Sequence, residues 1–268
     1  MNACLINGQA LSALAISDRA IAYGDGVFET IAVKQGVMPL WAAHYQRLID
    51  ACSQLDLPLP NEAVLLKEID ALKGKQVQAV IKIIITRGSG ERGYCPPTHP
   101  QTRRIVQCLP WPEIPQAYYT EGVSVIYCKT PVSQNTQLAG IKHLNRLDNV
   151  LASKECDEKH SAEGLMCDSL ERVIGGTKSN IFYVREGRLY TPLLNQAGVL
   201  GIMRAQVLLQ AQALNINTHI VPISRAALNE ADEIFLTNSL IGIWPVTQLM
   251  DKKFPIGKLT QQFLNRLD

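Results

Sequence analysis

The apolar and polar positions of this chain follow strand-like and helix-like periods in turn. Strand-like runs at residues 27–33, 79–86 and 103–109 are separated by helix-like runs at residues 41–55 and 62–72. Further on, the pattern predicts strands at residues 123–129, 164–168, 180–184, 188–191, 219–222 and 233–237, and helices at residues 202–214 and from about residue 259. Because these elements do not repeat as strand, helix and parallel strand, the sequence predicts an α+β fold.

Chain length and proline content predict two lobes. The chain has 268 residues, which exceeds the usual size of a single hydrophobic core. Its proline-dense stretch contains Pro110, Pro112 and Pro115. We therefore expect an N-terminal α+β lobe over residues 1–112 and a C-terminal α+β lobe over residues 120–268.

Composition narrows the class of partner. Charged residues make up 19% of the chain, the net charge is +2 and the basic residues are scattered, so neither nucleic acid nor a membrane surface is expected as a partner. Residues 1–9 do not resemble a leader, and no run approaches the roughly 18 apolar residues of a membrane span. These patterns predict a cytoplasmic protein with a small-molecule substrate.

The seven cysteines and five histidines show no metal-ligand spacing, so we expect free thiols and no metal site.

The segment Gly88-Ser-Gly-Glu-Arg-Gly93 has the spacing of a dinucleotide-binding loop but not its context. Such a loop must open a helix, whereas prolines follow here at positions 96, 97 and 100. We interpret the segment as a glycine-rich loop that presents Arg87, Arg92 and Tyr94, a combination that suits a substrate carboxylate. Solvated arginines in a simple turn are the alternative.

Lys142 lies in an apolar segment, residues 138–152, between a predicted turn and the first turn of a predicted helix. Packing among apolar neighbours would remove water from its amine and favour the neutral, nucleophilic form that a Schiff base requires. The neighbours expected to do so are Leu138, Ile141, Leu144 and Leu147. Without further context, the segment is more typical of an ordinary charge near a helix start.

Five segments that occur together and in order resemble one enzyme family. They are residues 17–30, 44–48, 87–94, 138–152 and 198–204. Over essentially its full length, the chain is similar to the fold-type IV pyridoxal 5′-phosphate (PLP) enzymes, which are also described as class IV aminotransferase-like. This family includes branched-chain aminotransferases, D-amino acid aminotransferases and aminodeoxychorismate lyases. The resemblance implies the two-lobed fold of D-amino acid aminotransferase, with PLP between the lobes, and a homodimer.

The resemblance also implies which residues bind the cofactor. Lys142, expected in the C-terminal lobe, matches the lysine that holds PLP as a Schiff base and that moves a proton once substrate has displaced it. Arg47, in His-x-x-Arg-Leu, matches the arginine that binds the PLP phosphate. Further phosphate and ring contacts are implied for the backbone amides of Ile202 and Met203, the Ser239 hydroxyl and Asn238.

Two features are similar to the lyase branch of this family. Thr30 stands where branched-chain aminotransferases tend to have glycine and D-amino acid aminotransferases valine, and its hydroxyl is implied to help protonate a leaving enolpyruvyl group. Residues 87–94 and 139–147 closely resemble bacterial lyases. The resemblance implies elimination of pyruvate from 4-amino-4-deoxychorismate to give 4-aminobenzoate for folate biosynthesis. Substrate contacts are implied for Phe28, Arg92 and Tyr94. A branched-chain or D-amino acid aminotransferase is the alternative.

Gly175 departs from the family pattern. Family members normally carry a glutamate there, and its carboxylate keeps the pyridine nitrogen of PLP protonated. Glu171 is four residues away, about 13 Å along a strand, and is not expected to replace it. Three interpretations remain open. A neighbouring polar group or water takes over, the cofactor is a weaker electron sink, or the chain is a catalytically impaired PLP-binding protein.

Overall fold

A computed structural model describes residues 3–267, which form two compact units. The first unit extends to Pro112 and also contains Ile141–Asn145. The second unit comprises Glu113–Gly140 and continues from Arg146. The break after Pro112 falls within the proline-dense stretch that marks the expected boundary. Lys142 lies in the first unit, whereas the sequence places it in the C-terminal lobe.

In the described part of the chain, the first unit contains four strands and three helices. They are β1 (Ala3–Ile6), α1 (Arg19–Tyr23), β2 (Gly26–Lys34), α2 (Trp41–Gln54), α3 (Glu62–Lys73), β3 (Gln78–Thr86) and β4 (Arg103–Leu109). The boundaries expected from the apolar period agree closely for the longer elements. The sequence does not predict β1 and α1, because elements of four and five residues are too short to establish a period.

The strands of the first unit form an antiparallel sheet in the order β1-β4-β3-β2. Side chains alternate between the two faces of a strand. Glu29 and its cross-strand neighbour Ile83 therefore share one face, where both are at most 1% exposed. Phe28, Thr30 and Lys82 lie on the opposite face and are half-buried. The buried face packs against α2 and α3, and the other is the candidate face for chemistry.

Residues Ile141–Asn145 lie along the outer edge of β2. The amide of Phe28 donates to the carbonyl of Lys142 at 3.0 Å, and the adjacent residues Val27 and His143 form an antiparallel bridge. Lys142 is thus held by strand-like pairing and not by a helix. The helix expected around it begins five residues later, at Leu147.

In the described part of the chain, the second unit contains five helices and ten strands. They are α4 (Ala117–Thr120), β5 (Val123–Tyr127), α5 (Leu147–Glu158), β6 (Glu163–Cys167), β7 (Arg172–Gly176), β8 (Asn180–Arg185), β9 (Arg188–Pro192), α6 (Ile202–Ala213), β10 (Thr218–Val221), β11 (Ile223–Ser224), α7 (Arg225–Asn229), β12 (Glu233–Asn238), β13 (Gly242–Leu249), β14 (Lys252–Lys253) and α8 (Lys258–Leu267).

These strands form one sheet in the order β10-β9-β8-β12-β13-β5-β6-β7-β11, with β14 paired to β13. The sequence does not predict β13, which contains Pro245, because proline cannot donate to a sheet ladder. The strand forms nonetheless because Trp244 and Val246, on either side of the proline, are buried in the core at 4% and 1% exposure. Burial thus overrides the local preference.

Three further observations bear on the class of protein. Among the described helices, none is long and apolar enough to cross a membrane. Residues 3–267 contain no group of three or more histidine, cysteine or acidic side chains that could hold a metal ion. The seven cysteines are free thiols, and five of them are buried.

Candidate active site

Lys142 lies beside an aromatic ring of the first unit. Its Nζ is 4.3 Å from the centroid of the Phe28 ring, and a cation–π contact of this kind contributes about 0.5–2 kcal/mol. Lys142 is half-buried, so the ring replaces part of its hydration shell. The apolar shell differs from the expected one, because Ile141 is buried whereas Leu147 is 69% exposed. The lysine is positioned by pairing with β2 and by Phe28, not by helix packing.

Thr30 and Lys82 lie opposite each other on the same sheet face as Phe28. They are cross-strand partners of β2 and β3, and Nζ of Lys82 is 5.8 Å from the centroid of the Phe28 ring. This face therefore combines a hydroxyl, an aromatic ring and two lysines. Thr30 and Phe28 are among the expected site residues, but Lys82 is not. Its signal in the sequence is a single charge inside the apolar run 79–86.

Arg47 is held by a buried carboxylate on the other face of the sheet. Its Nε and Nη2 donate to the two oxygens of Glu29 at 2.7 and 2.6 Å. Nδ1 of His44 lies 2.7 Å from the same carboxylate, which is 1% exposed. Burial raises the pKa of Glu29, but the hydrogen bonds with His44 and Arg47 outweigh burial, so the pKa is lowered. Glu29 therefore sets the position of the Arg47 guanidinium, on the sheet face opposite Thr30, and the contact of Arg47 with a phosphate stays a prediction.

The glycine-rich loop presents fewer cations than expected. Arg87 is 8% exposed, and its Nε donates to the carboxylate of Asp25 at 2.8 Å. It also donates to two backbone carbonyls, so it stabilises the loop and is not presented to a substrate. Arg92 and Tyr94 are exposed, and the Tyr94 ring lies 5.4 Å from that of Tyr23. The substrate contacts of Arg92 and Tyr94 stay a prediction.

In the second unit, α6 begins at the residues expected to meet the phosphate. Gly201 is the N-cap, no side chain of the described chain caps the helix, and the first turn lacks an acidic residue. The amides of Ile202 and Met203 therefore have no acceptor within the helix, and they lie at its positive end. A Cβ at position 201 would lie 1.9 Å from Oδ1 of Asn180. This close approach explains the glycine and identifies Asn180 as a supporting residue that the sequence does not reveal.

The turn between β12 and β13 carries Asn238 and Ser239. Oδ1 of Asn238 accepts hydrogen bonds of 2.9 Å from the amides of Leu240 and Ile241. Its Nδ2 donates to the carbonyl of Lys178 at 3.0 Å. These bonds fix the turn and therefore the position of Ser239. The cofactor contacts of Asn238 and Ser239 stay predictions.

Gly175 lies in β7, paired with Met166 of β6. A Cβ at this position would lie 2.9 Å from the backbone oxygen of Ser179. The same oxygen accepts a hydrogen bond of 2.8 Å from the amide of Gly176. The turn that connects β7 to β8 therefore lies close against position 175, and a side chain there requires the Ser179 carbonyl to shift.

Two acids near Gly175, Glu163 and Glu171, already have partners within the chain. Glu163 is 1% exposed and accepts hydrogen bonds from the amide and Oγ1 of Thr177 at 3.0 and 2.5 Å, and from Oγ of Ser179 at 2.9 Å. Glu171 is 70% exposed and pairs with Arg225 at 2.9 Å. Both carboxylates are therefore already held by hydrogen bonds or an ion pair within the chain.

The described residues fit the phosphate of PLP better than its pyridine nitrogen. The uncapped start of α6 suits a phosphate. Arg204 in its first turn is 6% exposed, and its Nε has no hydrogen-bond partner within the described chain, so an anion is expected there. Lys142 offers the amine for the aldehyde. For the pyridine nitrogen, however, position 175 supplies no carboxylate.

Comparison with known proteins gives consistent matches over the full length. A sequence model described as amino-transferase class IV matches residues 26–249. The structure of 4-amino-4-deoxychorismate lyase from Pseudomonas aeruginosa is 41% identical with a TM-score of 0.94, and the match covers 98% of this chain and 97% of that one. Aminodeoxychorismate lyase of Vibrio harveyi is 33% identical over 267 residues, 98% of each chain. A putative branched-chain-amino-acid aminotransferase of Methanocaldococcus jannaschii is 30% identical over 93% of this chain and 88% of its own length.

Proposed function

The chain belongs to the class IV amino-transferase family, and we propose that within this family it is a PLP-dependent lyase. Its reaction converts 4-amino-4-deoxychorismate to 4-aminobenzoate and pyruvate. The observation that carries this proposal is full-length similarity to two lyases, at 41% and 33% identity. The position of Thr30, on the sheet face that also holds Phe28, supports it.

PLP is the cofactor of this family. When bound, it supplies an aldehyde that condenses with amines and a ring that withdraws electron density. We assign the amine of Lys142 to the aldehyde. For the phosphate, we assign the amides of Ile202 and Met203, the guanidinium of Arg47 and the hydroxyl of Ser239.

Lys142 is the base of the proposed reaction. With substrate bound, its ε-amine would take the proton from the substrate ring carbon that bears the nitrogen. Pairing with β2 fixes the backbone of Lys142, and Phe28 limits the positions that its amine can reach. Because the amine can reach few positions, it is directed to the proton on one substrate atom, the ring carbon that bears the nitrogen.

Thr30 assists the departure of the other product. The bond between the substrate ring and the enolpyruvyl oxygen breaks, the Thr30 hydroxyl helps to supply a proton to the leaving group, and the enol becomes pyruvate. The ring electrons left by the removed proton complete the aromatic ring of 4-aminobenzoate. Lys82, the cross-strand partner of Thr30, adds a positive charge to this face, which suits a substrate with two carboxylates.

Gly175 favours a lyase over an aminotransferase. A protonated pyridine nitrogen lowers the barrier most when a carbanion can be stabilised only by delocalisation into the cofactor ring. In an elimination that ends in an aromatic ring, the electrons of the carbanion enter that ring, and aromatisation itself stabilises the product. Loss of the usual glutamate therefore harms transamination more than it harms this elimination.

We also propose that the protein is a cytoplasmic homodimer. Helix α5 exposes an apolar stripe, with Leu147, Val150 and Leu151 exposed by 69%, 60% and 49%. Their spacing places them on one helix face, which is typical of a surface that another chain covers. The free thiols of all seven cysteines suit a reducing compartment. Light scattering should give twice the chain mass, and Leu151→Asp should reduce it to the monomer.

The fate of the substrate nitrogen tests the proposed function. A lyase keeps the nitrogen on 4-aminobenzoate and needs no keto acid, whereas an aminotransferase must pass it to an acceptor. We expect purified protein to release 4-aminobenzoate and pyruvate in equal amounts without added keto acid. Amino-group transfer from an amino acid to 2-oxoglutarate, without 4-aminobenzoate formation, would instead identify an aminotransferase. Binding of PLP without turnover of either kind would indicate an impaired enzyme.

A further inference from the structure

Arg204 is a buried cation that has no carboxylate partner in the described part of the chain. It is 6% exposed and is the third residue of α6. Its Nη2 donates to the carbonyl of Pro192 at 3.1 Å, and its Nε has no hydrogen-bond partner among the described residues. Burial lowers the pKa of its guanidinium. By contrast, the buried residues Arg19 and Arg87 both pair with Asp25.

A purely structural role does not account for this arrangement. The hydrogen bond to Pro192 joins α6 to the end of β9, but a neutral donor would do the same. Burying an unpaired charge destabilises the folded protein more than burying a neutral group in the same place. The charge and the unsatisfied Nε are explained if an anion from outside the chain binds nearby.

The position of Arg204 in α6 limits where such an anion binds. Side chains of a helix lean toward its N-terminus, so the guanidinium adds to the positive end of α6 near Gly201. That end has neither a side-chain cap nor an acidic residue in its first turn. The uncapped helix end and the unpaired guanidinium are independent observations, and both indicate an anion at the start of this helix.

We infer that Arg204 is a positioning residue for the cofactor phosphate, whose fixed charge strengthens binding of a dianionic phosphate ester at the start of α6. This rests on the proposed placement of the phosphate at the amides of Ile202 and Met203, and it is independent of which reaction the enzyme performs. It has a specific consequence. Charge at position 204 affects ligands that carry the phosphate and does not affect pyridoxal, which lacks it.

Binding to full-length protein freed of cofactor tests this consequence. Three variants separate charge from structure. Arg204→Gln keeps a donor and removes the charge, Arg204→Met removes both, and Arg204→Lys keeps the charge and changes the shape. Dissociation constants are measured for PLP and for pyridoxal, with inorganic phosphate as a competitor of PLP. Thermal unfolding of each variant reports whether the fold is retained.

We expect Arg204→Gln and Arg204→Met to weaken PLP binding by about tenfold, the effect of a well-placed charge at a helix end. Pyridoxal should bind these variants as it binds the wild type, and Arg204→Lys should retain most of the PLP affinity. Inorganic phosphate should compete less effectively in the two uncharged variants. The pKa of bound phosphate, followed by ³¹P NMR, should be higher in Arg204→Gln because a neighbouring positive charge is lost.

Three results would overturn the inference. An equal loss of PLP and pyridoxal affinity in Arg204→Gln, or an equal loss of PLP affinity in Arg204→Lys and Arg204→Gln, would assign a structural role alone. Wild-type affinity of Arg204→Gln for both ligands would assign Arg204 no role in binding. The double variant Glu29→Gln/Arg47→Met separates this failure from failure of the proposed site. If that variant loses PLP but not pyridoxal while Arg204→Gln loses neither, the phosphate ligand Arg47 stands and the inference about Arg204 fails.

Discussion

Glu29 and Arg47 form a bidentate ion pair, with Nε and Nη2 of Arg47 at 2.7 and 2.6 Å from the two carboxylate oxygens of Glu29. The exposed fractions of the two side chains are 2% and 13%. Removing one partner from a buried pair leaves the other charge without compensation, which typically costs 3–5 kcal/mol. A variant that changes both residues together therefore tests the proposed phosphate ligand without leaving one charge of the pair uncompensated.

The first prediction concerns cofactor affinity. The double variant Glu29→Gln/Arg47→Met removes both charges, so it tests the phosphate contact without leaving an unpaired acid. We expect the PLP concentration for half-maximal activity to rise by about 10- to 100-fold. This is the effect of losing one or two charge-assisted hydrogen bonds between the guanidinium and the phosphate. Turnover at saturating PLP should change little, because a phosphate anchor binds ground and transition states equally. Glu29→Gln alone is the control, and wild-type PLP affinity in the double variant would exclude Arg47 as a ligand.

The second prediction concerns the pH dependence of stability. The pKa of Glu29 is lowered in the folded protein, because its hydrogen bonds with His44 and Arg47 outweigh burial. Its contribution to the free energy of unfolding is therefore present above the unfolded-state pKa of about 4.3, and is lost as the pH falls through the lower folded-state value. Glu29→Gln should destabilise the protein by about 3 kcal/mol at pH 7 and should show a shallower loss of stability on acidification. Denaturant unfolding between pH 7 and pH 3 measures both effects, with the exposed change Glu121→Gln as the control. An unchanged acid profile in Glu29→Gln would contradict the assignment.

Sequence patterns predict the long elements correctly and indicate most of the candidate residues, because both leave local signals. The apolar period of β3 and α2, and short motifs around Lys142 and Arg47, are of this kind. Contacts between distant segments leave no such signal. Lys142 pairs with β2, whereas the sequence predicts the start of a helix there. Arg87 pairs with Asp25, which is 62 positions away in the sequence. Arg204 is part of a matched motif, but its lack of an acidic partner is a property of the fold.

The third prediction concerns Thr30. Thr30→Val preserves the shape of the side chain and removes its hydroxyl. Turnover should fall by about 10²- to 10⁴-fold, the usual contribution of a positioned proton donor. PLP should still be trapped on Lys142 by borohydride, because the hydroxyl is not needed to form that linkage. Thr30→Ser, which keeps the hydroxyl, should retain most of the activity. Equal activity in Thr30→Val and the wild type would remove Thr30 from the mechanism.

The fourth prediction separates charge from backbone strain at Gly175. Gly175→Ala and Gly175→Glu both introduce a Cβ that would lie 2.9 Å from the Ser179 oxygen, so both require the same local shift. Only Gly175→Glu adds a carboxylate, which should favour the protonated pyridine nitrogen. We expect Gly175→Ala to be less stable than the wild type, and Gly175→Glu to turn over substrate faster than Gly175→Ala. The comparison needs PLP saturation of both variants. Equal turnover of the two variants would mean that the electron sink does not depend on this position.

The most direct test of the whole account measures 4-aminobenzoate and pyruvate formed from 4-amino-4-deoxychorismate by the wild type and by Lys142→Ala, both at saturating PLP. Lys142 is the proposed base, and its amine is the one held 4.3 Å from the ring centroid of Phe28. We expect the wild type to form the two products in equal amounts. Lys142→Ala should form neither, although it folds and binds inorganic phosphate as the wild type does. Product formation by Lys142→Ala at the wild-type rate, or no product from the PLP-saturated wild type, would contradict the account.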